Sequence, residues 1–240
     1  STPALLPGGT YEFRQANFIG SVGVIELLGT DGVNPLFRYD GTLFTSIAGP
    51  ITPDAPQHLE VMPTLSLLMS YRGGSMVYSA LKDPSDWEAA SGAGEIALAD
   101  EIVGFDLQPN SSIAVFGENS TSILYGKTPV DFELTTFSQS VGAQAGTIQT
   151  ILESVYVNDR GITQLSRVQN FGNFSNAVIS DKVKPLMDRY RSRITASLVV
   201  QSKNQYRLCF DDGIGLSLTF QNGEVLGAAT FDYGTVVRTT

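Results

Sequence analysis

The sequence is poor in the residues that build disulfides and zinc sites. Cys209 is its only cysteine, and His58 is its only histidine. A disulfide within the chain is therefore impossible, and a zinc site made of Cys and His ligands is excluded. The stability of the fold has to come from burial of a core and from assembly.

Long apolar runs are also missing. No run approaches the roughly 18 residues that a membrane-spanning helix needs. No basic segment followed by an apolar one opens the sequence, as it would in a secretory signal. We therefore expect a soluble chain without a membrane-spanning segment.

Charged residues are few, at 16% of the 240 residues, whereas 42% are hydrophobic and 24 residues are glycine. Short runs rich in Val, Ile, Thr and Ser alternate with turn residues, which is typical of many short strands joined by tight turns. The composition therefore predicts a globular chain of the all-β class.

The formal net charge of -9 is unevenly placed. Residues 1–120 hold 14 acidic and 4 basic residues, and residues 121–240 hold 10 acidic and 11 basic ones. An acidic total argues against a protein that reads nucleic acid sequence, because Lys and Arg supply most of the affinity for phosphates. An acidic chain can still line a path along which DNA slides without sticking.

Strand-turn-strand units recur every 42 to 52 residues. Each unit has a turn between two apolar runs, and this pattern predicts hairpins. The alternation of period two is clearest in the last unit, where Tyr206, Leu208 and Phe210 share one face of a predicted strand. The five turns lie at Asp31-Gly32, Gly73-Gly74, Glu118-Asn119, Arg160-Gly161 and Asp212-Gly213.

A further turn at Asn222-Gly223 extends the last hairpin to a four-stranded meander, the size of one propeller blade. We predict an all-β fold, a β-propeller-like array of about five four-stranded units in a single domain over residues 1–240. A β-sandwich is the alternative, but a sandwich does not need so regular a spacing. The predicted units cover approximately residues 11–47, 57–90, 100–138, 147–168 and 194–231.

One stretch, residues 177–193, has helical rather than strand periodicity. Val183, Leu186, Met187 and Tyr190 fall at helical spacing, and Pro185 fits in the first turn. The sequence therefore predicts one short amphipathic helix inserted between two units. Its basic residues either form a solvated face or contact an acidic neighbouring subunit. The possible subunit-interface residues are Lys182, Lys184, Arg189, Arg191 and Arg193.

Groups for catalysis are scarce. With His58 in a loop as the sole imidazole, a Ser/His/Asp triad is disfavoured, and a histidine with a structural partner is the better interpretation. The glycine-rich Gly92-Ala93-Gly94 is not followed by Lys-Ser or Lys-Thr, so nucleotide binding has no support. We expect no cofactor and no metal site.

Paired carboxylates are the remaining route to an enzyme, because five-bladed propellers include glycosidases that use an acid and a base. Turn formation alone accounts for several of the acidic residues, since Asp before Gly is favoured in tight turns. Trp87 offers a surface for a sugar, although an aromatic residue that closes a proline-containing turn is more often a core plug. We predict that the chain is not an enzyme. The carboxylate candidates are Asp31, Glu95, Asp100, Asp106, Asp159 and Asp211.

Several short motifs together carry a family resemblance over roughly residues 10–231. The succession resembles the propeller region of the nozzle or tail tube proteins of short-tailed bacteriophages, and more distantly the DNA-stabilising tail factor of related viruses. The motifs are Asp54-Ala55-Pro56-Gln57-His58, Tyr78-Ser79, Asp83-Pro84-Ser85-Asp86-Trp87, Ser122-Ile123-Leu124-Tyr125-Gly126, Asp159-Arg160-Gly161-Ile162, Leu165-Ser166, Gln169-Asn170-Phe171-Gly172-Asn173-Phe174 and Asn204-Gln205-Tyr206-Arg207-Leu208.

The resemblance implies a structural virion protein of the phage tail. It implies a homo-oligomeric ring, expected to be a hexamer, around the channel for DNA ejection, so that DNA passes transiently and without specific contacts. It also implies contacts to a tail adaptor protein and to tail fibres or spikes. The alternative function is that of a five-bladed propeller glycoside hydrolase or a carbohydrate-binding module.

Overall fold

The computed structural model describes residues 5–18, 25–47, 54–167, 174–180 and 183–237. Within them, twenty strands form five antiparallel sheets of four strands each, and every sheet keeps its strands in chain order. The first sheet consists of β1 (Glu12–Ala16), β2 (Glu26–Thr30), β3 (Phe37–Tyr39) and β4 (Phe44–Ser46). The second consists of β5 (Leu59–Val61), β6 (Leu67–Tyr71), β7 (Ser75–Tyr78) and β8 (Gly94–Ala97).

The remaining three sheets repeat this plan. The third consists of β9 (Ile102–Leu107), β10 (Ile113–Gly117), β11 (Thr121–Tyr125) and β12 (Glu133–Ser138). The fourth consists of β13 (Gln149–Ile151), β14 (Glu153–Asn158), β15 (Gly161–Arg167) and β16 (Phe174–Val178). The fifth consists of β17 (Ile194–Val200), β18 (Gln205–Phe210), β19 (Ile214–Gln221) and β20 (Glu224–Asp232).

All five predicted hairpins are present, and each one joins the second and third strands of its sheet. The turn at Asn222-Gly223 joins β19 to β20, and both residues have positive φ, at 53° and 83°. Asparagine and glycine tolerate this backbone region better than other residues, which is why the pair suits a tight hairpin. The predicted all-β array of four-stranded units is confirmed.

The chain divides into two compact units. The first unit contains the first two sheets and most of the third, and the second unit contains the fourth and fifth sheets. The prediction of a single domain over residues 1–240 stays a prediction.

Each unit buries its own apolar side chains between sheets. In the first unit, Leu28, Leu59 and Leu67 belong to a cluster between the first and second sheets, and Leu68 and Phe105 to one between the second and third. In the second unit, Val155 and Val157 of the fourth sheet pack with the apolar face of the fifth, which carries Tyr206, Leu208 and Phe210. The alternation read from the sequence therefore marks the face of β18 that enters the core.

The predicted helix is present as α1 (Lys184–Tyr190), followed by a short 3-10 turn at Arg191–Arg193. Pro185 lies in its first turn, where no backbone N–H is needed. Met187 and Tyr190 are its buried residues. No helix in the described part of the chain is long and apolar enough to cross a membrane.

Three element boundaries differ from the sequence-based ones. The second sheet runs to β8, past residue 90, because a long connection containing Trp87 separates β7 from its partner. The fourth sheet runs past residue 168, because β16 pairs with β15. Residues 177 and 178 therefore belong to a strand, and the helical insert begins later than predicted.

Candidate functional site

Several of the basic residues predicted as an interface make contacts within the second unit. Lys184 Nζ lies 3.0 Å from Asp188 Oδ1 one helical turn away, and both side chains are exposed. Arg189 is exposed, with its guanidinium 5.3 Å from the ring centroid of Tyr190. Lys182 lies outside the described residues. Lys184 and Arg189 are therefore the members of this stretch that present charge at the surface of α1.

The other two arginines support neighbouring turns. Arg193 bridges the β18–β19 turn, with its guanidinium 2.6 Å from Asp211 Oδ1 and 3.0 Å from Asp212 Oδ2. Arg191 Nη1 donates to the backbone carbonyl of Asn158, at 3.3 Å. These contacts give both arginines a structural role that holds whether or not the stretch also contacts another subunit.

The carboxylates considered for catalysis bind local groups. Asp31, at the end of β2, is buried, and its Oδ1 accepts hydrogen bonds from the backbone N–H groups of Val33 and Asn34, at 2.9 and 2.7 Å. Its Oδ2 accepts one from Asn34 Nδ2, at 2.5 Å. Asp31 therefore organises the turn between β2 and β3, as its sequence context predicts.

The remaining candidates are dispersed over different turns and strands. Glu95 on β8 accepts a hydrogen bond from the hydroxyl of Ser75 on β7. Asp100 accepts from the backbone of Glu101, and Asp211 pairs with Arg193. At the β14–β15 turn, Asn158 rather than Asp159 accepts the bond from Arg160 N, at 2.9 Å. The predicted turn role is thus confirmed for Asp31. In the β14–β15 turn this role belongs to Asn158, the residue before Asp159.

Sequence reasoning missed a cluster of charged residues on the first strands of the three sheets in the first unit. Arg14 on β1 forms ion pairs with Glu12 on its own strand and with Glu60 on β5, both at 3.0 Å. His58, directly before β5, has Nδ1 2.9 Å from Glu12 Oε2. Asp106 on β9 is buried, attracts Arg14 and repels Glu60. We call these five residues the first-strand cluster.

Burial sets the electrostatics of the first-strand cluster. Burial raises the pKa of Glu60, and attraction to Arg14 offsets only part of the effect. Burial alone would lower the pKa of Arg14, but attraction to Glu60 and then Glu12 outweighs it, so the pKa of this guanidinium is raised. Arg14 therefore stays charged and holds the carboxylates together.

A sequence signal for the cluster existed in the repeat. Arg14 and Glu60, like Glu12 and His58, are 46 residues apart, which is one repeat of the chain. Residues one repeat apart occupy similar places in successive sheets, so charged residues at that separation become neighbours. The predicted structural role of His58 is confirmed, since its ring contacts Glu12 and its backbone N–H donates to Ser70 Oγ.

Neither Trp87 nor Cys209 forms an open site. Trp87 is buried in the apolar cluster between the first and second sheets, as expected of a core plug. Cys209 is buried on β18, and burial raises the pKa of its thiol, which disfavours the reactive thiolate. Among the described residues, no group of three or more His, Cys, Asp or Glu side chains is arranged to hold a metal ion.

The first sheet carries aromatic residues on the face opposite the core. The rings of Tyr11 and Phe13 are nearly parallel, with an interplanar angle of 6° and centroids 6.0 Å apart. Phe37 packs edge-on against both rings and contacts Phe44, with centroids 5.2 Å apart. Phe13 remains 45% exposed and Tyr39 on the same sheet 41% exposed. We call this group the aromatic face.

No family model matches the sequence, and no curated protein matches it. Among solved structures, the chain is similar to the β-propeller domain of Myceliophteria thermophila Cps50 (Swd1), with a TM-score of 0.55 and 14% identity over 99% of this chain and 72% of that one. It is also similar to virginiamycin B lyase from Staphylococcus aureus, with a TM-score of 0.53 and 9% identity over 92% of this chain and 74% of that one.

A third similar structure is the extracellular domain of a putative hybrid two-component system from B. thetaiotaomicron. Its TM-score is 0.53 and its identity 12%, over 90% of this chain and 28% of that one. One of these three proteins is named as an enzyme and another as part of a signalling system, so the shared fold carries no single activity. The similarities show that this chain has the β-propeller fold, with five four-stranded sheets as its blades.

Proposed function

We propose that this chain is a structural virion protein of a bacteriophage tail, a nozzle or hub component that forms a ring around the DNA ejection channel. The observation that carries the proposal is where the resembling motifs lie. Ser122–Gly126 covers β11 except for its first residue, Asp159–Ile162 covers the β14–β15 turn and the start of β15, and Asn204–Leu208 covers the start of β18. These three motifs thus lie on blade strands and turns, whereas residues 169–173 of a further motif lie outside the described residues.

The behaviour of the charged side chains supports a structural role. Asp31 organises a turn, Arg193 bridges another, and Arg14 joins two sheets through Glu60. Each of these side chains binds a partner within the protein. A structural protein needs such contacts to hold its blades in register, and it needs no group left over for chemistry.

The net charge fits the passage of DNA. A ring of six copies at -9 each carries -54 formal charges. Such an assembly repels the phosphate backbone overall, so DNA passes through it without being retained. In the virion, the ring contacts a tail adaptor protein on one side and tail fibres or spikes outside.

Imaging of the purified protein tests this proposal. We expect negative-stain electron microscopy to show rings with a central hole, and mass photometry to show a hexamer. A monomer at all accessible concentrations contradicts the proposal. To test whether α1 contributes to the ring contact, Lys184→Glu and Arg189→Glu are combined, because these exposed residues can be reversed without removing the turn contacts of Arg191 and Arg193.

We expect the combined variant to assemble less at low salt than the parent chain, and added salt to weaken the parent in the same direction, since screening acts within about 10 Å at 0.1 M. Each exposed pair contributes little, so the single changes have small effects. Lys127→Glu with Lys203→Glu is the matched control, because both lysines are charged residues outside α1. Equal assembly of both double variants and the parent assigns α1 to the solvated surface.

The aromatic face of the first sheet favours carbohydrate binding as a second candidate function. Exposed aromatic rings such as Phe13 and Tyr39 stack on the apolar faces of sugars. A glycan array with the parent chain and with the Phe13→Ser, Tyr39→Ser variant tests this candidate. Binding that disappears in the variant supports it, and the absence of any bound glycan removes it.

A further inference from the structure

The outermost strand of the fifth sheet is long and unusually open. β20 has nine residues and pairs with β19 along one edge. Among the described residues no strand pairs with its other edge. The outer strands of the other sheets are shorter, with three residues in β4, four in β8, six in β12 and five in β16.

The side chains of β20 do not protect this edge. The run from Leu226 to Thr230 is exposed, and Leu226 alone is 65% exposed. Proteins commonly guard a free edge with lysine, proline or a very short strand. β20 contains no lysine, arginine or proline, and its one register irregularity, at Leu226, lies near its start and leaves Gly227 to Asp232 regularly paired with β19. Its free backbone N–H and C=O groups therefore form a template on which another strand can pair.

The charges of β20 lie only at its ends. Glu224 begins the strand and Asp232 ends it, while Gly227, Ala228 and Ala229 form an uncharged centre with small side chains. A second copy of β20 paired antiparallel about Ala228 would bring Glu224 next to Asp232 at both ends, to within the one-residue register shift at Leu226. Like charges directly opposite each other destabilise a strand pair. The charge pattern thus disfavours a second copy and favours a strand with basic ends.

We propose that β20 is a docking edge for an extended segment of another protein, with Lys or Arg at both ends and uncharged residues between them. Backbone hydrogen bonds along the edge supply affinity, and the two terminal charges select the partner. The glycine and alanine residues at the centre of β20 leave room for larger side chains on the incoming strand. This docking edge does not depend on ring formation or on α1.

A peptide exchange tests the proposal. The probe is a fluorescein-labelled peptide, Lys-Thr-Val-Thr-Val-Thr-Val-Thr-Lys, and its counterpart has Glu at both ends. We expect the full chain to bind the Lys-ended peptide about tenfold more tightly than the Glu-ended one in fluorescence anisotropy, because two attractive end pairs replace two repulsive ones. Hydrogen–deuterium exchange should show new protection of β20 amides in the complex.

Reversal of the strand's own charges provides the decisive variant. Glu224→Lys with Asp232→Lys should reverse the preference, so that the Glu-ended peptide binds more tightly. Asp232 Oδ1 also accepts a hydrogen bond from Gly234 N, at 2.7 Å, so Glu224→Lys alone is a second variant that keeps this contact. It should abolish the discrimination, because each peptide then forms one attractive and one repulsive end pair. The control is Glu101→Lys with Asp159→Lys, two exposed acids elsewhere, which changes the net charge equally.

Three outcomes overturn the proposal. One is that neither peptide binds. A second is that the control variant changes the preference as much as the β20 variant, which would make the attraction a general effect of net charge. The third is that the chain self-associates through β20, seen as dimers that Ala228→Lys abolishes, which would make a second copy the occupant.

Discussion

The guanidinium of Arg14 on β1 and the carboxylate of Glu60 on β5 form an ion pair, with Nε 3.0 Å from Oε2. The side chain of Glu60 is 8% exposed, and that of Arg14 is 30% exposed. The pair therefore joins the first strands of two successive sheets, and water cannot readily replace Arg14 as the partner of the buried Glu60.

Removal of this arginine should destabilise the first unit. Arg14→Met leaves the buried Glu60 without its cation, and we expect the free energy of unfolding to fall by about 3 kcal/mol. Urea denaturation followed by circular dichroism measures the change. Arg72→Met is the matched control, because its ion pair with Asp54 is exposed and 3.7 Å long, so no measurable change is expected. Equal losses in the two variants would contradict a buried pair.

The raised pKa of Glu60 predicts a pH dependence with a defined sign. Between its ordinary value of 4.5 and the raised value in the fold, the folded state binds more protons than the unfolded state. The contribution of Glu60 to stability is therefore fully present below pH 4.5 and declines as the pH rises through the folded-state pKa. Urea midpoints of the parent and of Glu60→Gln, measured from pH 4 to pH 8, should show the parent losing stability relative to the variant as the pH rises. A difference that does not vary with pH would show that the pKa is not shifted.

A glycine on β2 makes room for an aromatic ring. A Cβ atom at Gly29 would lie 2.2 Å from Cε2 of Phe37, closer than any real contact allows. We expect Gly29→Ala to lower the free energy of unfolding by about 2 kcal/mol through overpacking, and Phe37→Leu to restore part of the loss. Gly227→Ala on β20 serves as control, since nothing lies within 4 Å of its Cβ position. Thermal unfolding of the four proteins separates a steric effect from a general effect of strand glycine.

Substitution of Asp31 distinguishes a structural role of this residue from a catalytic one. Asp31→Ala leaves two backbone N–H groups and the amide of Asn34 without their acceptor, and we expect a loss of about 2 kcal/mol in stability. The exposed Asp159, replaced in the same way, should change stability little. Both variants and Asp211→Asn are also assayed on a panel of glycoside substrates, where we expect no activity to be lost. Hydrolysis by the parent chain that one substitution abolishes, with the fold intact, would assign that residue to a catalytic site.

Much of the local structure could be predicted from the sequence, because it depends on residues that are close together in the chain. The alternation of Tyr206, Leu208 and Phe210 identified the buried face of β18. The sequence analysis did not predict the strands β8 and β16. β8 pairs with β7 only after a long connection, so its neighbours in sequence do not identify it as the fourth strand of the sheet. A strand at the edge of a sheet is defined by its hydrogen-bonding partner more than by its own residues.

The sequence by itself determined the class of the fold, the five hairpins and the short helix, because turn residues and side-chain periodicity act within a few positions of each other. The repeat indicates which residues occupy similar places in successive sheets, but the tertiary structure decided which charges meet. Arg14 and Glu60 are 46 residues apart, and their contact exists only because two sheets bring their first strands together. It also decided that no strand within the described part of the chain pairs with the outer edge of β20, because an edge is open or closed according to what packs beside it and not according to its own nine residues.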